Sequence, residues 1–230
     1  MKSLTCLLWS LFPVVVLAQE AQVPASTPAE SAAPQAEAPP TEAPVPEAPV
    51  PTTIKVRMHT ELGDIVLAIE VERAPITATN FLRYVDDKRM DGMGFYRAMK
   101  LDEAGNYGMV QTGIRDDARK LFKPIEHEPT TLTGLSHVNG AVSMARTAPG
   151  TAVADFFIIV GNLTALDAQP AAVSTGQADN LGYAVFGGVI EGMEVVKAIM
   201  EQPRSLTAGE GAMKGQMLEK PVKVLTVRRE

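Results

Sequence analysis

Acid–base, nucleophilic and metal chemistry draw on histidine, carboxylate and thiolate groups at defined spacings, and this chain offers few of them. Its three histidines, His59, His127 and His137, fall in no H-E-x-x-H or comparable pattern. Only His127 is flanked by carboxylates, in Glu126-His127-Glu128, and there a solvated loop histidine is favoured over a metal ligand. Cys6 is the only cysteine and lies in an N-terminal apolar run, so the mature chain is expected to hold no disulfide, thiol nucleophile or thiolate metal site. Gly209-Glu210-Gly211 has neither a third glycine in place nor a clear strand–helix junction, which argues against a phosphate cradle. From these residues no conventional metal, cofactor or nucleophile site emerges.

Patterning shows the elements on which a site must be built. Residues 1–18 carry Lys2, an apolar stretch from Leu4 to Leu17, and Val16 and Ala18 at the small-residue cleavage positions. That is the pattern of a secretory signal peptide cut after Ala18. The stretch is shorter than the roughly 20 apolar residues of a spanning helix, and Pro13 interrupts it, so no membrane span is expected after cleavage. Residues 19–52 repeat Pro, Ala and Glu without an aromatic or basic residue. Such a stretch buries too little apolar surface to offset its ordering entropy and reads as a disordered tether. Five glutamates lie in it and Lys2 in the leader, so the net charge of −6 becomes −2 over residues 53–230. No basic field for nucleic acid remains.

Residues 53–230 read as one β-rich domain. Ile54, Val56 and Met58 alternate with Lys55, Arg57 and His59, the period-2 pattern of a half-buried strand over 53–60. A turn at 61–64 and a strand at 65–70 make a hairpin. Short strands are predicted at 94–99, 107–113, 140–145, 155–160, 182–190 and 221–229, and helices at 75–89, opened by Pro75, and 192–202. Many short strands with two helices predict a mainly β antiparallel barrel capped by two α-helices. The connection after Ala145, running to Asp155, is far longer than a hairpin turn needs, and composition alone makes it a mobile surface loop.

Five segments, in this order and with these gaps, carry a resemblance: Phe95-Tyr96-Arg97, Met109–Gly113, Val142–Arg146, Asp155–Ile158 and Gly182–Val196. The chain resembles the cyclophilin family of peptidyl-prolyl cis–trans isomerases, especially its short bacterial exported forms, over nearly all of 53–230. The resemblance implies an eight-stranded closed antiparallel β-barrel with a helix over each end and an active face on the outside of the sheet. It further implies proline-containing polypeptides as partners, unfolded or exported proteins among them, a monomer, and the periplasm as location.

An X–Pro amide turns against a resonance barrier of roughly 18–20 kcal/mol, and no bond is made or broken. Catalysis then requires an apolar grip on the prolyl ring and a hydrogen-bond donor for the pyramidal prolyl nitrogen of the twisted amide. By the resemblance Arg97 is that donor, its guanidinium always charged and rigidly forked. Gln111 matches a glutamine that binds substrate backbone and holds the arginine. Met109, Phe157 and Leu166 match pocket residues, and Met144, Ala145, Arg146 and Thr147 border the groove.

Four departures stand out. Where the family usually has a phenylalanine this chain has Gly108, so the pocket loses a ring unless Tyr107 takes its space. A usual glutamine is Asp155, whose charge could pair with Arg97 and steady it or divert it from substrate. A position that is tryptophan in many members is Ala165, and a usual histidine is Tyr183, as in exported bacterial members. A shallower groove and weak binding of cyclosporin are expected from these departures. The leading expectation is an isomerase acting on exported proteins as they fold. The alternative is a catalytically weak cyclophilin-fold module or chaperone that binds proline peptides, and a third is an envelope spacer in which the tether is the active part.

Overall fold

The alternation at Thr53–Thr60 forms a strand, β1, paired antiparallel with β2 (Gly63–Glu70). In the computed structural model, which describes residues 52–115, 117–169 and 180–230, six more strands follow. They are β3 (Gly94–Lys100), β4 (Gly108–Gly113), β5 (Ala141–Met144), β6 (Phe156–Val160), β7 (Ala184–Glu191) and β8 (Met217–Arg229). The signal peptide and all of the tether but its last residue lie outside the described residues.

Hydrogen-bonded neighbours run β1-β2-β7-β5-β6-β4-β3-β8 and close into a barrel, every pairing antiparallel. The eight-stranded mainly β fold is thus the one expected. Strand β8 starts at Met217, earlier than its apolar alternation announces, because Pro221 interrupts the pattern. Pro221 falls where the β3–β8 register shifts, a place that tolerates a residue without an N–H.

Helix α1 (Pro75–Asp86) follows β2 and α3 (Met193–Met200) follows β7. Since β2 and β7 are antiparallel neighbours, the two helices leave from opposite ends of the barrel. Phe81 of α1 meets Phe156 edge-on at 5.4 Å and Phe186 at 5.2 Å, so the helix closes its end with aromatic packing. A single-turn helix, α2 (Thr130–Thr133), was not foreseen.

The acidic pair around His127 corrects the solvated-loop reading. Glu128 is buried and accepts from the Ile76 N–H at 3.0 Å, the Thr77 N–H at 2.6 Å and the Thr77 hydroxyl at 2.6 Å. It caps the first turn of α1, which has no local side-chain cap of its own. His127 is half-buried, with Nε2 3.0 Å from the Leu181 carbonyl.

Strand β6 is apolar throughout because both of its faces are covered. Phe156, Ile158 and Val160 join the core inside the barrel. Phe157 and Ile159 belong to a second cluster on the outside, with Met109, Ala141 and Val185. That outer cluster is the base of the functional site.

Candidate active site

Strict alternation along β3 would send Phe95 inward, Tyr96 outward and Arg97 inward. The strand avoids this with a bulge: Phe95 pairs with Thr112 and Arg97 with Gln111, leaving Tyr96 as an extra residue. One inserted residue inverts the facing of all that follows, so Phe95 and Ala98 are fully buried inside while Arg97 and Met99 line the outer groove.

The half-buried Arg97 guanidinium is held on two sides. Its Nη1 donates to Gln111 Oε1 at 2.8 Å, and its Nε and Nη2 donate to Gln216 Oε1 at 2.9 and 2.7 Å. Gln216 is itself fixed by its backbone carbonyl, which accepts from the Ala98 N–H at 2.9 Å. Of five guanidinium N–H groups, these bonds engage three and leave two to spare. Burial pulls the Arg97 pKa down, with the Tyr96 and Tyr183 rings pushing the other way.

Beside the guanidinium opens a groove of about 550 Å³. Met99, Met109, Phe157 and Leu166 give it an apolar wall, and Ala145, Arg146, Thr147 and Tyr183 form part of its rim. The Phe157 and Tyr183 rings meet edge-on at 5.3 Å. Behind Phe157, His137 stacks at 6.1 Å. Its Nδ1 lies 2.5 Å from Asp167 and its Nε2 2.9 Å from the Ser143 hydroxyl. The order Asp–His–Ser imitates a hydrolytic triad, but His137 and Ser143 have no exposure and neither lines the groove. They brace the wall. Burial pushes the His137 pKa down against the pull of Asp167, favouring the neutral ring.

The long connection after Ala145 is a built wall rather than a mobile loop. Ala152 bridges to Ile125, the Asn80 amide of α1 donates to the Val153 carbonyl at 2.8 Å, and Ala152 and Ala154 are buried. Thr151 closes its tip by accepting from the Ala148 N–H at 3.0 Å.

Asp155 turns from Arg97. It accepts the Tyr96 hydroxyl at 2.6 Å, and its carboxylate sits over Gly113, where a Cβ would fall 1.9 Å from Oδ1. Burial raises the Asp155 pKa, opposed by the Tyr96 hydroxyl, Arg115 and the Ile114 N–H. A raised native pKa means the folded state binds the proton more tightly, so stability is lost as pH rises from the unfolded value of about 3.9 through the native one. Asp155→Asn, which removes the buried charge, is expected to melt above wild type at neutral pH, with the gap closing as pH falls toward about 4. Thermal melts of both proteins across that range check it.

Of the anticipated residues, Arg97, Gln111, Met109, Phe157, Leu166, Ala145, Arg146, Asp155 and Tyr183 come together at the groove. Two do not. Met144 is buried inside the barrel, because β5 alternates and Ala145, one residue on, takes the groove side. Tyr107 is about half exposed and lies against Gly161, so it does not replace the missing ring. No side chain fits at Gly108, where a Cβ would fall 2.1 Å from the Met99 carbonyl. Met99, cross-strand partner of Met109, contributes apolar wall instead. Sequence reasoning missed Gln216, Met99 and the Tyr96–Asp155 contact. Alternation offered a signal for Met99 alone, once the bulge is known.

The family model for cyclophilin-type peptidyl-prolyl cis-trans isomerases matches residues 55–228. A peptidyl-prolyl cis-trans isomerase of Acinetobacter baylyi is 34% identical over 176 residues, 75% of this chain and 84% of that one. Peptidyl-prolyl cis-trans isomerase B of Escherichia coli is 35% identical over 150 residues, 63% of this chain and 82% of its own length. In fold, a cyclophilin-type isomerase of Cryptosporidium parvum, solved in the presence of the dipeptide Ala-Pro, superposes with a TM-score of 0.54 at 18% identity, covering 76% of this chain and 98% of that one. With the match running from β1 to β8 over the same barrel, the chain belongs to the cyclophilin-type peptidyl-prolyl cis–trans isomerases, enzymes that interconvert the cis and trans forms of X–Pro bonds.

Proposed function

We propose that this isomerase is exported to the periplasm, loses residues 1–18 on the way, and acts as a monomer on X–Pro bonds of other exported polypeptides while they fold. The observation that supports the catalytic part is a bulge-turned, half-buried guanidinium with two spare N–H groups beside an apolar hollow. The hollow of Met109, Phe157 and Leu166 grips the prolyl ring. The spare N–H groups of Arg97 meet the prolyl nitrogen when its lone pair leaves conjugation, stabilising the twisted amide more than either planar form. Gln111 spends its amide oxygen on Arg97, and its amide N–H groups hold the substrate backbone.

Gln216 acts as a positioning residue. Gln216→Ala is expected to lower kcat roughly 10- to 100-fold with KM near wild type, since a misplaced reacting group is costly while the pocket that sets binding is untouched. A purely structural role would show instead as a lowered melting temperature with kcat preserved.

The experiment that tests the proposal is a cis-to-trans assay of Ala-Pro peptides with the full chain. Tight peptide binding without acceleration would leave the weak binding module as the better reading. Amino-terminal sequencing of periplasmic protein tests the export, with Gln19 as the expected first residue.

A further inference from the structure

Next to the groove lies a second concavity of about 370 Å³. The two share Tyr96, Ile114 and Arg115, so a single wall of side chains separates them. Gly94 and Gly113, on paired strands β3 and β4, are part of its lining.

Its charged lining is Arg89, Arg115, Asp117 and Lys120. Two of these are already matched. Asp117 accepts from Arg119 at 2.8 Å, and Arg89 stacks on Phe122 at 4.0 Å with Asp87 3.3 Å away. Arg115 lies over the Tyr96 ring at 4.4 Å, at the junction of the two cavities. Among the described residues neither Arg115 nor Lys120 has a carboxylate at ion-pair distance. Arg115 and Lys120 act at longer range on Asp155 and Asp117, yet among the described residues the lining holds three cations against one carboxylate, a net positive charge one wall away from the hollow beside Arg97.

We propose that this pocket is a charge-reading subsite that takes an aspartate or glutamate side chain flanking the proline of the same polypeptide, so that the enzyme prefers prolines near acidic residues. The inference rests on the isomerase reading, because the shared wall matters only if a proline occupies the groove. Arg115 and Lys120 supply the attraction, and the apolar part of the lining, Met93 and Leu218 among it, accepts the side-chain stem. Such a pocket changes which substrates are taken up, not the rotation itself.

The test uses the full chain and peptides that share one Ala-Pro bond and carry a single Glu, Gln or Lys at successive positions on either side. For at least one placement kcat/KM is expected to rank Glu above Gln above Lys, with Glu over Lys by about fivefold to tenfold. The ranking should flatten at about 1 M salt, where screening acts within ~3 Å. Lys120→Glu should abolish or invert it, and the melting temperature of that variant shows that it is folded. Equal rates for all three peptides at every placement, or a ranking untouched by Lys120→Glu, would overturn the subsite while leaving the isomerase reading in force. Absence of turnover on every peptide would sink the isomerase reading and this inference with it.

Discussion

Arg97→Ala is expected to lower kcat/KM for X–Pro isomerisation about 10²- to 10³-fold, the usual cost of deleting one preorganised donor aimed at a transition state. The loss should fall mainly on kcat, because the hollow of Met109, Phe157 and Leu166 still binds the ring. Folding should survive. The guanidinium stands on the outer face, and its removal leaves only the Gln111 and Gln216 amide oxygens without a donor, about 1–2 kcal/mol of stability. Arg97→Lys should rescue little, since an ammonium on a flexible stem cannot bridge Gln111 and Gln216 while keeping donors free. Peptide turnover and a denaturant melt on the same preparations decide the matter. Wild-type turnover in the alanine variant would remove Arg97 from the mechanism.

Glu128→Ala is expected to destabilise the barrel by about 3 kcal/mol, the sum of a lost helix cap and buried donors left unmatched. Two backbone N–H groups and one hydroxyl at the start of α1 depend on this one carboxylate. In a domain of this size the melting temperature should drop by about 10 °C. Glu128→Gln should recover part of the loss, because an amide oxygen accepts where the carboxylate did while the amide N–H groups cannot. Helix α1 also ties down the groove wall through Asn80 and Val153. Activity in the alanine variant should therefore fade at temperatures where wild type still works, yet match wild type in the cold. A melt within about 0.5 kcal/mol of wild type, the scatter of ordinary surface changes, would show that the cap contributes nothing.

These two residues also mark how far the site could be read from the chain. Arg97 and Phe157 were legible through the resemblance that the segments around them carry, and not from their own local pattern. Glu128 was misread. Its neighbours Glu126 and His127 look like a solvated loop, and what makes it structural is a helix start some fifty residues earlier. The connection after Ala145 was misread for the same reason, since its small residues fit a mobile loop equally well until Ile125 and Asn80 are placed against it.

By itself the sequence determined what period and composition encode: strands where apolar residues alternate and helices where they recur on one face. These are properties of neighbours along the chain, so local order suffices to specify them. The tertiary structure alone decided which way side chains face and what they meet. One bulged residue at Tyr96 turned Arg97 to the outer face, and the parity of β5 drew Met144 inside. Gln216, 119 residues from Arg97 along the chain, completed its clamp. Facing depends on a parity that a single inserted residue inverts, and contact depends on closure of the barrel, so neither is written in any local stretch of residues.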